Sequence, residues 1–173
     1  MIIESDSVIR LNKPLSILSS FEIRILIEHA NKSQLKRSRI CLHNSNTSPI
    51  HEMVICALQN TYIQPAKHLD KSESLTVIEG KATLFIFNEE GTVSEKIKLG
   101  SPISGRSYFY KMNTAFYHTL LVESNHFVFH EVTSGPFDLS DTVSANWSPS
   151  ENDLNEKLKF FEFLKIANIG SKF

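Results

Sequence analysis

Between Arg39 and Ser134 the chain is almost entirely short apolar-polar alternations, interrupted about every ten residues by turn-forming residues. "RICLH", "HEMVICAL", "TYIQPAKH", "ESLTVIEG", "KATLFIF", "TVSEKIKL", "RSYFYKM", "FYHTLLV" and "HFVFHEV" each read as one strand. A period of two puts alternate side chains on one face, and many such strands at this spacing predict a β-sandwich or barrel. Three turns organise the reading. Asn88–Gly91 ("NEEG") closes a hairpin between "KATLFIF" and "TVSEKIKL". Gln59–Asn60 is read as a tight hairpin turn because asparagine tolerates positive φ, and Ser124–Asn125 as a second one. In those two registers Leu58 faces Thr61, His51 faces His68, and His118 faces Glu131.

Helices are predicted only at the two ends. Ser19 followed by Glu22 is a capping-box pattern, and Ile23, Ile27 and Ala30 recur at helical spacing, giving a helix over 19–32. A second helix is expected over 151–168, with Ser150 as its cap, Leu154, Leu158, Phe161 and Leu164 as its apolar stripe, and Asn168 or Gly170 at its end. Between barrel (38–135) and helix, "SGPFDLSDTVSANWSP" reads as irregular, with Trp147 packing on the core. The whole of 1–173 is read as one domain, since 173 residues suffice for one sizeable core.

Composition narrows the function. Eighteen basic residues against 19 acidic ones give a net charge of −1, which offers no electrostatic case for nucleic acid. No apolar run approaches the ~18–20 residues that would span a bilayer, and acidic residues in "MIIESDSVIR" argue against a secretory signal. Cys41 and Cys56 are too few for a disulfide framework. The expectation is a reduced, cytoplasmic protein with neither membrane nor nucleic acid as partner.

The chemistry-bearing residues sit in the strands. Glu73 follows His68 after four residues, Gly80 follows after six more, and His118 lies in a distant strand. This order resembles the cupin metal-binding pattern, in which an HxH pair, a glutamate and a distant histidine converge inside a barrel. Ala66 stands where the first histidine of the pair would be. A narrower similarity, carried by "RICLH", "EM", "KSES", "FYH", "VFHEVTSGPFD" and "ANWSP" over about residues 20–150, is to the WbuC family of cupin-fold metalloproteins. The resemblance implies an all-β cupin double-stranded β-helix with flanking N- and C-terminal helices. It further implies a divalent metal (Fe, Mn, Zn or Ni) and a place in bacterial surface-polysaccharide (O-antigen) gene clusters. A sugar or nucleotide-sugar as small-molecule ligand, isomerase- or epimerase-type chemistry, and a homodimer are the corresponding expectations; a saccharide-binding protein without turnover is the alternative. The family has P-H-x-H at Pro65–His68 and glutamine at His51.

The expected metal ligands are therefore His68, Glu73 and His118, a two-histidine, one-carboxylate set suited to Fe(II) and other divalent ions, with His51 as a candidate for the place left by Ala66. Arg39, Cys41 and His43 project to one side of their strand. If that side is the interior, Arg39 can hold a carboxylate or phosphate bidentately. Otherwise it is a rim arginine in an ion pair. The basic connector Lys32, Lys36, Arg37, Arg39 is either an anion site or a solvated linker. Glu131, Arg39 and His43 are the candidate catalytic residues; Glu131 is expected to orient His118 or act as an acid or base, or else to form a buried salt bridge. Tyr108 and Tyr110 either line a sugar pocket or belong to the core.

Overall fold

The computed structural model describes all 173 residues. Twelve strands run in chain order: β1 Ile2–Ile3, β2 Val8–Arg10, β3 Arg37–Cys41, β4 Ile50–Leu58, β5 Ala66–His68, β6 Glu73–Glu79, β7 Lys81–Phe87, β8 Val93–Gly100, β9 Phe109–Met112, β10 Tyr117–Val122, β11 His126–Ser134 and β12 Thr142–Ser144. Helix α1 spans Ser20–Lys32 and α2 spans Leu154–Ile166. One sheet has the order β1-β2-β3-β4-β11-β6-β9 and the other β12-β5-β10-β7-β8. All pairings are antiparallel except β2 with β3. The chain passes from one sheet to the other between β4 and β5, β5 and β6, β6 and β7, β8 and β9, β9 and β10, β10 and β11, and β11 and β12. This is a jelly-roll, the double-stranded β-helix of cupins.

The inner faces meet in one core, where Leu75, Val77, Phe127 and Phe129 of the first sheet pack on Leu84, Leu99 and Leu120 of the second. Each outer face is covered by one helix. Leu26 and Ala30 of α1 pack on Ile40, Val54, Cys56 and Val128. Phe160 and Leu164 of α2 pack on Phe85, Phe87 and Tyr117. No helix is long and apolar enough to cross a membrane.

Local chemistry explains the elements that matched expectation. Ser19 and Glu22 form the complete capping box of α1. Asn88 Oδ1 accepts from Glu90 N and Thr92 N, shaping the β7–β8 hairpin in which Phe87 pairs with Val93. Gly80 turns the chain sharply from β6 into β7 at φ +88°, where a Cβ would clash with the His126 carbonyl.

Four expectations are corrected. Gln59–Asn60 does make a turn, with Thr61 N donating to Leu58 O at 2.9 Å, but the two strands do not pair. Instead Leu58 faces His126 and the chain crosses to the other sheet. Ser124–Asn125 likewise joins strands of different sheets, so His118 faces Ala66 and Ile86, whereas Glu131 faces Met53 and Leu75. In α2 the cap is Asp153 rather than Ser150, Leu154 and Leu158 are exposed, and the buried side chains are Phe160 and Leu164. The stretch read as irregular contributes strand β12, which pairs with β5, and Trp147 packs against Phe87 and Tyr117.

Candidate metal centre

Two sheets supply one cluster. His68 and His118 come from β5 and β10 of the five-stranded sheet, and Glu73 from β6 of the seven-stranded one. The four residues between His68 and Glu73 form the turn that carries the chain from sheet to sheet, with Asp70 at φ 53°. Aspartate is among the residues that best tolerate this left-handed conformation. The spacing is therefore the length of a crossover, and it aims both side chains into the gap between the sheets.

Glu73 Oε2 lies 3.6 Å from His68 Nε2 and 3.7 Å from His118 Nε2, and the ligand atoms of the three residues lie within 4.8 Å of one another. The remaining polar atoms of the cluster are held from outside. His118 Nδ1 donates to the Phe116 carbonyl at 2.9 Å, which leaves Nε2 as a bare lone pair on the neutral ring. His68 Nδ1 contacts Thr142 Oγ1 at 3.0 Å, as the β5–β12 register, which puts Thr142 opposite His68, requires. Tyr110 Oη donates to Glu73 Oε1 at 2.6 Å. Burial pushes the His68 imidazole below its usual pKa, so its neutral form is favoured.

Two nitrogens and a carboxylate oxygen thus face one another at distances too long for hydrogen bonds. A cation placed among them would be held by all three, and the partners on the far side of each ring and on the other carboxylate oxygen are of the kind that orient metal ligands. The residues present fit a divalent ion with open positions for other ligands.

Beside the cluster opens a cavity of about 440 Å³, lined by His68, Glu73 and Glu131 among others. Its lining is mainly polar; the apolar side chains are Val8, Cys41, Met53 and Phe137. Glu131 stands two residues along β11 from Thr133, which pairs with Glu73, so both carboxylates face the interior. Glu131 is half-buried and lines the cavity. Burial first, and then the Glu73 charge, push its carboxyl up to about 8, with Arg39 working in the opposite direction. Arg39 and His43 both line the cavity.

His51 also lines it, but the structure does not bring it into the metal group. It pairs with Thr133, which in turn pairs with Glu73. Two strand spacings, ~9.5 Å, therefore separate the backbones of His51 and Glu73. Its ring stacks on His43 with centroids 4.1 Å apart, and its Nε2 bonds the Asn46 carbonyl at 3.1 Å. The basic connector divides in the same way. Arg37 bonds Tyr62 O and Glu151, a structural role, and of the four cations only Arg39 reaches the cavity. Tyr108 is exposed and Tyr110 serves Glu73; neither lines the cavity. Thr142, Lys71 and Arg10 were not anticipated from the sequence.

Residues 18–99 match the model of a family described as a domain of unknown function, DUF6016. Comparison with curated proteins gives no match. Among solved structures the chain is similar to protein SO0799 from Shewanella oneidensis, at 8% identity and a TM-score of 0.51 over 73% of this chain and 78% of that one. It is similar to CapF bound to the inhibitor 3-isopropenyl-tropolone, at 14% identity and a TM-score of 0.52 over 65% of this chain. That match covers 32% of CapF, so the chain spans about a third of that protein's length. A cupin superfamily protein from Desulfitobacterium hafniense matches at 10% identity and a TM-score of 0.44, over 57% and 76% of the two chains. At these identities the likeness to SO0799 and CapF is one of fold.

Proposed function

We propose that this chain binds one divalent metal ion through His68, Glu73 and His118 and acts on a sugar-type small molecule by proton transfer. The observation that carries this reading is the convergence of two histidine Nε2 atoms and one carboxylate oxygen, each side chain held by a hydrogen bond on its far side. An ion at that point would supply polarisation of a carbonyl or hydroxyl oxygen. Glu131 supplies the proton chemistry. With its carboxyl pushed up to about 8, it is poised to take a proton when ionised and to return it when protonated, near neutral pH. The polar cavity suits a hydroxylated ligand, and the fold shared with CapF, a capsular polysaccharide assembling protein, supports a sugar as the substrate class. The similarity to the WbuC family points the same way.

The test is elemental analysis of protein purified without a histidine tag, with His118→Ala beside it. About one ion per chain, lost in the variant while its circular dichroism is unchanged, is expected. Equal metal in both proteins would remove His118 from the centre.

A further inference from the structure

Three cations line the cavity beside the metal centre, and two of them are already neutralised. Arg10 is gripped by Glu4 through Nε at 2.6 Å and Nη2 at 3.2 Å, and its Nη1 donates to the His43 carbonyl. Lys71 pairs with Asp141 at 3.0 Å and bonds the Pro136 carbonyl. Arg39 is different. Its backbone is held by Ser7 O, but its guanidinium has no carboxylate partner and no hydrogen bond to a protein oxygen. The Cys41 thiol, two residues along the same strand face, is kept protonated by burial. A planar five-donor group, exposed at the rim of the cavity and left unpaired while its two neighbours are paired, has the geometry to take an anion in two parallel hydrogen bonds.

Arg39 and the metal centre mark two ends of one space. Across the ladder Arg39 faces Ile55, Ile55 faces Phe129, and Phe129 faces Val77, so Arg39 and Val77 lie three strands apart. Glu73 lies four residues from Val77 on the same face. On an unrolled sheet this puts the two backbones ~20 Å apart, less once the sheet curves, and the two long side chains narrow the gap further. A monosaccharide carrying one charged substituent suits a cavity of about 440 Å³ spanning such a gap.

We infer that the ligand is an anionic sugar, bearing a carboxylate or a phosphate, with the anion on Arg39 and its hydroxyl or carbonyl oxygens toward His68, Glu73 and His118. The proposal rests on the metal-site reading for the second end and on Arg39 alone for the first.

Titration calorimetry of the full chain, loaded with Mn²⁺, against glucose, glucuronate and glucose 1-phosphate tests it. At least one anionic sugar is expected to bind about tenfold or more tightly than glucose, and which of the two does so separates carboxylate from phosphate. Arg39→Gln should abolish that preference, and Arg39→Lys should restore only part of it. Equal affinity for all three sugars in the native chain, or no binding of any, overturns the proposal, as does a charge preference that survives in Arg39→Gln. Failure of the metal reading is separable. It shows as unchanged metal content in His118→Ala, and a charge preference persisting in that variant would leave the Arg39 subsite standing.

Discussion

Tyr110 Oη donates to Glu73 Oε1 at 2.6 Å, and so leaves Oε2 as the oxygen that faces both histidines. Burial and the Glu73 charge raise the Tyr110 phenol well above its usual pKa, which keeps it a donor across the physiological range. Removing the hydroxyl should free the carboxylate to rotate. Tyr110→Phe is therefore expected to weaken divalent-metal binding about 10–100-fold with the barrel intact, measured by metal titration and circular dichroism. Native affinity in the variant would mean that Glu73 is held by its packing alone.

Glu131 makes a stability prediction for the metal-free protein. At pH below the ordinary carboxylate value of 4.5, Glu131 is protonated in both folded and unfolded chains, and its contribution to stability is complete. As the pH rises the unfolded chain ionises first, so that contribution is lost progressively until the folded carboxyl ionises at about 8. Glutamine keeps the neutral shape at every pH. Glu131→Gln should match the native chain near pH 4 and exceed it by roughly 2–4 kcal/mol above pH 8, by denaturant titration in the presence of a chelator. A constant difference across that range would show that Glu131 ionises normally.

Local signals in this sequence were legible because local physics produces them. The capping box at Ser19 and Glu22, the turn at Asn88–Gly91 and the five-residue step from His68 to Glu73 are each completed within a few residues. The partners of each strand were not. The turn chemistry at Gln59–Asn60 was read correctly, yet a turn does not say which sheet the next strand joins, and here it hands the chain across. That single choice moved His51 from a place opposite His68 to one opposite Thr133. The same limitation separated His118 from Glu131, although both still face the interior because the period of two survives any change of partner. Thr142 carried no signal at all, since its role comes from the pairing of β12 with β5 some seventy residues upstream.

The C-terminal helix shows a related misreading, and it can be tested. An i, i+4 stripe from Leu154 through Leu158 looks amphipathic, but Leu158 is 65% exposed and Phe160 is fully buried against Tyr62 and Phe87. Phe160→Ala should cost about 3–5 kcal/mol and Leu158→Ala less than about 0.5 kcal/mol in chemical denaturation. Comparable losses would mean that α2 docks by its other face.

The register between β5 and β10 gives the last prediction. Ala66 pairs directly with His118, and it lies two residues from His68, on the same face of β5. Directly opposed residues have Cβ atoms ~4.5–5.5 Å apart, so a side chain at 66 points beside the His118 ring, toward the point where His68, Glu73 and His118 converge. Alanine is too short to reach it, which leaves the proposed site with three protein ligands. Ala66→His should add a fourth, raising affinity for Zn²⁺ or Co²⁺ at least about tenfold and changing the visible spectrum of the Co²⁺ form. His51→Gln is the matched control. Its ring is committed to His43 and to the Asn46 carbonyl, two strand spacings from Glu73, so metal affinity should stay within about twofold. If Ala66→His folds normally but binds no more tightly, residue 66 does not project into the centre. If His51→Gln weakens binding tenfold, His51 reaches the ion despite its register, and the three-ligand reading gives way to a four-ligand one.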